Sequence, residues 1–383
     1  MTIGIDIRVL GSKVKSGIEE YTESLLAHLV PLDKKIKFKL FFSSWRSDLP
    51  DYDWMSLPNV EIKKYRFPNK FLFYSSSFLN LPFVDKLIGG VDVFFSPHFF
   101  LTSLSPECRR VTTFHDLSFI HYPEFFSWRK RLWHNFEMRP FWQSRFSDKI
   151  IAVSESTKND LISFYGVDPA KIEVIYSGVS LGAGNVDKEK LRQFRADNGL
   201  PERFILFLGK LEPRKNLIGI IRAFNLVKNK KEFNDLSLVV VGSEGWLYED
   251  IFAEANQSPY KKNIIFRDHI TDKDRLLFYN SASVFVYPSF FEGFGFPPLE
   301  AITCNVPTII ANTSSLPEIV GRASLMVDPS NLDEIADAMT MAINDSRLRE
   351  RMISRVLNIQ ENFSWGKTAE KTLACLINLC DKN

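Results

Sequence analysis

Short apolar runs rich in β-branched residues recur along the chain, separated by stretches with helical spacing. The first half carries "TIGIDIR", "IKFKLFF", "VDVFFSP", "VTTFHD", "KIIAVS" and "IEVIYS"; the second half carries "FILFLG", "LSLVVVG", "NIIFRD", "VFVYPS", "VPTIIA" and "SLMVD". Between most of them lie helical patterns such as "NLIGIIRAFNLVKN" and "LDEIADAMTMAIND". This alternation predicts an α/β fold of parallel sheets covered by helices on both faces. About a dozen strands are too many for one comfortable open sheet. The polar, Gly-rich stretch "SGVSLGAGNVDK", Ser177–Lys188, falls near the middle and reads as a linker. An eight-fold barrel would continue its strands evenly through that point. The pattern therefore favours two Rossmann-like, doubly wound domains facing a cleft, with a boundary between residues 180 and 181.

Composition narrows the functional classes. The 383 residues are 45% hydrophobic and 25% charged, with a formal net charge of only +2. That balance gives no case for a nucleic-acid partner, so electrostatic specialisation must be local. The four cysteines, Cys108, Cys304, Cys375 and Cys380, show neither C-x-x-C nor zinc-like spacing and read as reduced thiols. The opening "TIGIDIR" reads as a strand rather than an export signal, and no apolar run reaches the roughly 20 residues of a spanning helix. A cytoplasmic placement is the expectation.

Ligands of open α/β sheets bind at the carboxyl ends of the strands, so the residues there carry the candidate chemistry. "FFEGFGFPPLE", Phe290–Glu300, follows the run "VFVYPS". Gly293 and Gly295 let backbone approach a ligand, and Pro297-Pro298 suits the first turn of a helix, whose free N–H groups attract an anion. Glu292 and Glu300 could then bind hydroxyls on opposite sides of a phosphate, the order found in a nucleotide-sugar. The alternatives are acidic residues complementing a helix dipole, and a glycosidase carboxylate pair, which would not call for a phosphate cradle between them. In "LGKLEPRKNL", Arg214 and Lys215 stand where a helix begins, against the dipole preference, which makes sense if an anion sits between them. A solvated surface pair is the plain alternative.

Weaker signals lie elsewhere. "GSKVKSGIEEY" lacks the G-x-G-x-x-G fingerprint, although Gly17 could offer an amide to a phosphate. His115-Asp116 and Gly242 follow strand-like runs; a histidine there can orient a sugar or handle a proton, or be structural. Asp51-Tyr52-Asp53 resembles a metal-binding D-x-D but sits in a polar turn, so no metal site is expected. Residues 128–146, "WRKRLWHNFEMRPFWQSRF", mix basic and aromatic residues as a helix on anionic lipid does, or as an ordinary helix packing beside a cleft does, with Pro140 interrupting the pattern. Phenylalanine, 34 residues in all, concentrates in "RFPNKFLFYSSSFLNLPF".

With these pieces in place, the sequence resembles glycosyltransferase family 4, the retaining transferases of GT-B fold. The likeness is carried by "VYPSFFEGFGFPPLEAITCNVPTIIANTSSLPEIVG", "GKLEPRKNL", "IIAVSESTKNDLISFYGVDPAKIEVIYSGV" and the closing "FSWGKTAEKTLACL". The resemblance implies an acceptor-side domain over 1–180, a donor-binding domain over 181–363, and a last helix over 364–383 that packs back on the first. It implies that Arg214 and Lys215 grip the donor diphosphate and that Glu292, with backbone at Phe294 and Gly295, holds the transferred sugar. Glu300 would bind the ribose, Gly17 the phosphate, His115 the region of the reacting carbon, and backbone near Ile270 the base. The family usually has glycine where Asn305 stands, and Asn is the next most tolerant residue of a left-handed backbone. The resemblance further implies retention without a covalent intermediate, no metal or other cofactor, and a nucleotide-sugar donor. "FHDLSF" and "LEPRKN" resemble bacterial mannosyltransferases of surface polysaccharide, pointing to GDP-mannose, with a UDP-hexose as the alternative. The acceptor would be a glycan or lipid-linked glycan, with contact to the inner membrane face through 128–146. A sugar-nucleotide epimerase of the same fold remains the competing enzyme class.

Overall fold

The computed structural model describes residues 1–11, 17–180, 186–268, 270–356, 359 and 361–380. The middle of the expected linker, 181–185, most of the loop before Gly17, and the last three residues lie outside them. Contacts divide the chain into two compact units. Unit 1 comprises Met1–Leu117, Trp128–Gly178 and the segment from Phe363 onward; unit 2 comprises Ser118–Ser127 and Val179–Asn362.

Unit 1 contains a seven-stranded sheet in the order β3-β2-β1-β4-β5-β6-β7. Its strands are β1 (Thr2–Asp6), β2 (Lys37–Ser43), β3 (Val60–Tyr65), β4 (Val93–Ser96), β5 (Arg109–Phe114), β6 (Lys149–Ala152) and β7 (Ile172–Val174). Unit 2 contains a six-stranded sheet in the order β10-β9-β8-β11-β12-β13. These are β8 (Phe204–Leu208), β9 (Ser237–Val241), β10 (Ile264–Arg267), β11 (Val284–Tyr287), β12 (Thr308–Ala311) and β13 (Ser324–Val327). Each neighbouring pair is parallel. The central strands are continuously apolar because helices cover both of their faces; every residue of β8, β9 and β11 is buried.

The apolar pattern missed one strand. "VEIKKY", β3, alternates charge with apolar residues, and Lys63 pairs with Glu61 on its surface. It is the edge of its sheet, where charge discourages pairing with another chain. Strand order reverses between β1 and β4 in unit 1, and between β8 and β11 in unit 2. Those reversals splay the following loops apart and open a crevice at the carboxyl ends of the strands.

The last helix, Trp365–Cys380, packs in unit 1 against the helix Gly17–Leu29. The Thr368 hydroxyl donates to the Tyr176 carbonyl at 2.8 Å, and the Trp365 and Tyr21 rings meet edge-on at 5.8 Å. Gly178 lies so close to the Trp365 backbone that a Cβ there would strike it. The basic-aromatic segment 128–146 is not one helix. It runs as a helix Trp128–Leu132, a π-helical turn Trp133–Met138, a left-handed Arg139 at φ 46°, and a helix from Pro140 to Phe146. Proline thus starts a helix here, its favoured place, instead of kinking one.

Asn305 ends the turn between the helix Phe296–Thr303 and β12 at φ 58°. Asparagine tolerates that backbone; a β-branched residue does not. Replacing Asn305 with valine should cost about 1–2 kcal/mol in urea unfolding, whereas Asn305→Gly should stay within about 0.5 kcal/mol of the parent. Equal stabilities would contradict the conformational argument.

Candidate active site

Two loops meet at the strand-order reversal of unit 2. The first leaves β8 and forms a short 3₁₀ turn, Pro213–Lys215, before Asn216 turns left-handed at φ 60° and the helix Leu217–Lys228 begins. Asn216 fastens this turn by donating its side-chain amide to the carbonyls of Pro288 and Pro329, at 3.2 and 2.7 Å. The second loop leaves β11 and carries Phe290 to Gly295. The two loops are joined through backbone, since the Phe290 N–H donates to the Arg214 carbonyl at 2.9 Å.

Their side chains form a compact ionic cluster. The Lys215 ammonium donates to Glu292 Oε1 and to the Tyr287 hydroxyl, both at 2.6 Å. The Arg214 guanidinium donates to Glu292 Oε2 at 3.1 Å, to the Phe291 carbonyl at 2.6 Å and to Glu212 Oε1 at 2.7 Å. Glu212, Lys215 and Glu292 are buried and Arg214 is nearly so. Two acids therefore answer two bases. The cations before the helix, which the sequence left facing the dipole alone, draw their counter-charge from Glu212 and Glu292.

Burial pushes the Lys215 pKa down, and the neighbouring Arg214 pushes it the same way, against the pull of Glu292 and Glu212. Burial works to raise the Glu292 pKa, but Arg214 and then Lys215 outweigh it and hold the carboxyl below its usual range. Burial, followed by Glu292, drives the Tyr287 phenol well above its usual range. Each carboxylate oxygen of Glu292 meets one named cation.

The Glu292 loop is pinned from below. The Glu292 N–H donates to the Ser314 hydroxyl, and the Ser315 hydroxyl serves both the Glu292 and Phe294 carbonyls, all at 2.9 Å. Gly295 turns at φ 109°, where a Cβ would press on Leu316. Gly293 and Phe294 are buried in the same loop. Glu300 stands apart from Glu292: it is 1% exposed, takes the Tyr279 hydroxyl at 2.8 Å and pairs with Arg275 at 3.1 Å. Gly242, at φ 148°, has a packing reason to be glycine, because a Cβ would land on the Gly209 carbonyl. Ile270 is half-buried in the loop after β10.

In unit 1, His115 follows β5. Its Nε2 donates to the Pro97 carbonyl at 2.8 Å, and its ring meets Tyr21 edge-on at 4.8 Å. Burial lowers its pKa, partly opposed by that hydrogen bond and by Asp116 and Glu19, so the imidazole is neutral near pH 7 with its proton on Nε2. Asp116 is half-buried beside it, and Gly17 is the exposed first residue of the helix Gly17–Leu29. Among the described residues no group of three or more His, Cys, Asp or Glu side chains is arranged to hold a metal.

The family description "Glycosyl transferases group 1" matches residues 188–358, and "Glycosyltransferase Family 4" matches residues 15–182. The chain belongs to glycosyltransferase family 4, group 1. It is 29% identical over 285 residues to O-antigen chain mannosyltransferase B of Escherichia coli, covering 73% of each chain. Over 226 residues it is 30% identical to the serotype-specific mannosyltransferase WbdA of the same organism, covering 58% of this chain and 28% of that longer one. The solved sucrose-phosphate synthase of Thermosynechococcus elongatus superposes with a TM-score of 0.76 over 100% of both chains at 18% identity, a likeness of fold. The fold is GT-B, and the chain is a glycosyltransferase.

Sequence reasoning missed Glu212, Tyr287, Arg275 and Tyr279, which set the charge around the expected residues. Glu212 sits inside the quoted motif, and Tyr287 ends a run singled out as a strand, so both were within sight. Tyr287's role depends on Lys215, 72 positions away, while Glu212 pairs with Arg214 only two positions away.

The sign of the linkage is the same for both ionised partners. A lowered Glu292 pKa contributes stability above the ordinary glutamate range that is lost as pH falls through the lowered value; a lowered Lys215 pKa makes stability rise as pH climbs toward the ordinary lysine range. Unfolding free energy measured against pH should therefore fall less steeply on the acid side in Glu292→Gln than in the parent. Lys215→Met should lose about 3 kcal/mol near neutral pH by removing one of the two cations that hold a buried carboxylate. A loss under about 1 kcal/mol would show that the pair is effectively solvated.

Proposed function

We propose that this glycosyltransferase moves mannose from GDP-mannose to a glycan or lipid-linked glycan acceptor in surface polysaccharide synthesis, with retention at the anomeric carbon and without a metal. The observation that carries the reading is the cluster of Arg214, Lys215 and Glu292 at the strand-order reversal of unit 2, where such sheets bind nucleotides. The choice of mannose rests on the O-antigen mannosyltransferase relative.

Arg214 and Lys215 would neutralise the leaving diphosphate, work otherwise done by a divalent cation. Two named acceptors hold the Lys215 ammonium, so its third N–H is available to a phosphate oxygen. Glu292 would accept hydroxyls of the transferred sugar, with Gly293, Phe294 and Gly295 close by, and its interaction strengthens as the sugar gains positive charge. Glu300, oriented by Arg275 and Tyr279, would take the ribose, while Gly17 and Ile270 would meet a phosphate and the base. His115, neutral and fixed by Pro97, would orient the sugar near the reacting carbon, with Asp116 beside it. The leaving phosphate would take the acceptor's proton in a front-face displacement, so no protein nucleophile is needed.

Calorimetric titration with GDP, UDP, GDP-mannose and UDP-glucose in EDTA tests the donor. Guanine preference is expected; uridine preference would replace GDP-mannose by a UDP-hexose, and absence of binding would overturn the site. Glu292→Ala should lower kcat about 100-fold or more while changing donor affinity much less. Product anomeric configuration by NMR decides retention, and incubation without acceptor separates transfer from epimerisation.

We also infer that the protein works at the cytoplasmic membrane face. No helix among the described residues is long and apolar enough to cross a membrane. Segment 128–146 instead exposes Trp128, Leu132, Phe141, Trp142 and Phe146 beside exposed Arg129, Arg131 and Arg145. The helix Asn69–Leu79 adds Phe71, Tyr74, Phe78 and Leu79, with Phe78 80% exposed, and the Arg139 guanidinium donates to its Ser77 carbonyl. Aromatics beside arginines suit an anionic lipid surface. Changing Arg129, Lys130, Arg131 and Arg145 to serine should reduce binding to phosphatidylglycerol vesicles about tenfold or more without altering nucleotide affinity. Unchanged vesicle binding would remove the membrane role.

A further inference from the structure

Residues 118–127 interrupt unit 1 in the sequence, yet they belong to unit 2. They begin two positions after Asp116 and consist of a short helix Ser118–His121 followed by a 3₁₀ turn, Pro123–Phe125. Nothing in the proposed chemistry uses them. Their side chains are strongly aromatic, and their contacts converge on the loops that build the ionic cluster.

On one side they back the Glu292 loop. His121 meets the Phe291 ring at 4.6 Å, and Phe125 meets the Phe290 ring at 5.3 Å. Tyr122 stacks on Phe125 at 5.2 Å and lies 6.3 Å from both Phe290 and Phe291. Phe290 and Phe291 are the residues whose backbone binds Arg214, through the Phe290 N–H and the Phe291 carbonyl. On the other side the segment grips Trp246, whose indole N–H donates to the Phe125 carbonyl at 2.6 Å and whose ring stacks on Phe126 at 5.6 Å. The loop carrying Trp246 is itself tied to the Arg214 loop: Gly245 N–H donates to the Leu211 carbonyl at 2.9 Å, one residue before Glu212. The segment therefore backs the Glu292 loop directly and reaches the Arg214 loop through the loop that carries Trp246.

Its polar content points to alignment more than to burial. The hydrogen bond from Trp246 holds the Phe125 carbonyl, and the aromatic rings on either side turn that position into a fixed location for Phe290 and Phe291. A displacement of that loop moves the Glu292 carboxylate relative to Lys215 and Arg214, and an ångström of misplacement costs catalysis dearly.

We propose that residues 118–127 form an aromatic strap that positions the Phe290–Phe291–Glu292 loop, with Trp246 and Phe290 as positioning residues for sugar transfer. The catalytic half of this proposal rests on the glycosyltransferase site described above; its structural half stands without it. The strap leaves the affinity for the nucleotide alone unaffected and acts on the placement of the sugar-binding carboxylate.

Two variants test this in the full chain. Trp246→Phe keeps a ring to stack on Phe126 and removes the N–H donated to Phe125; Phe290→Leu removes the ring under Phe125. Hydrogen exchange resolved by peptide should accelerate about fivefold to tenfold over residues 289–293, the effect of losing about one hydrogen bond locally. Exchange in β8, β9 and β11 should not change. With GDP-mannose and acceptor, kcat should fall about tenfold while the Kd for GDP stays within about twofold. Unchanged exchange over 289–293 in both variants would overturn the strap. Faster exchange spread uniformly through unit 2, with kcat reduced only in proportion to the folded fraction, would equally overturn it, by reducing the segment to general packing. Absence of transfer by the parent protein would overturn the proposed reaction and with it the kinetic arm, while the exchange measurement would still decide whether the loop is positioned in this way.

Discussion

A lysine ammonium and a glutamate carboxylate 2.6 Å apart, both nearly out of water, are the constraint around which unit 2 is organised. Bringing two charges into that setting is costly, and their attraction compensates only when geometry is good and the remaining donors and acceptors are satisfied. The fold meets those terms with parts from distant places: Tyr287 at the end of a central strand, Glu212 and Arg214 from one loop, Ser314 and Ser315 beneath the other. The parallel sheet makes this possible because its strand order reverses at β8 and β11, leaving two loops free to approach each other.

The arrangement also reconciles stability with reactivity. Within the cluster, positive and negative side chains balance, so the free protein does not hold naked cations before a helix. A diphosphate entering there would compete with Glu212 and Glu292 for Arg214 and Lys215. That competition would loosen Glu292 from its cations as phosphate arrives, leaving the carboxylate better able to accept a sugar hydroxyl. On the proposed reading, the structural ion pair would act as a charge store whose redistribution accompanies donor binding.

Much of the fold was legible because parallel, doubly covered strands are continuously apolar, and the runs "FILFL" and "SLVVV" carry no competing interpretation. β3 escaped notice because an edge strand is selected for charge and pays little for it in burial. The expected left-handed backbone at Asn305 could be read from one residue, since backbone conformation is local. Partnerships were harder. Arg214, Lys215 and Glu292 could be singled out by residue type and position after strands, but the sequence does not say that Glu212 faces Arg214 or that Arg275 and Tyr279 close on Glu300. Pro140 announced the interruption of segment 128–146, but spacing could not show the π-helical turn before it or the left-handed Arg139 at the break. No motif in the sequence singles out the aromatic residues of 118–127, and only their partners, Trp246 and the Phe290–Phe291 pair, give them a meaning.

The last helix of the chain carries a consequence for how the molecule is made. Trp365 packs on Tyr21, and Thr368 donates to the carbonyl of Tyr176, so part of the cover of the first sheet is a helix made only after the whole second sheet. A nascent chain would hold that face unfinished through the synthesis of the whole second sheet, and a product truncated before Phe363 would leave the backbone beside Gly178 and the ring of Tyr21 without their cover.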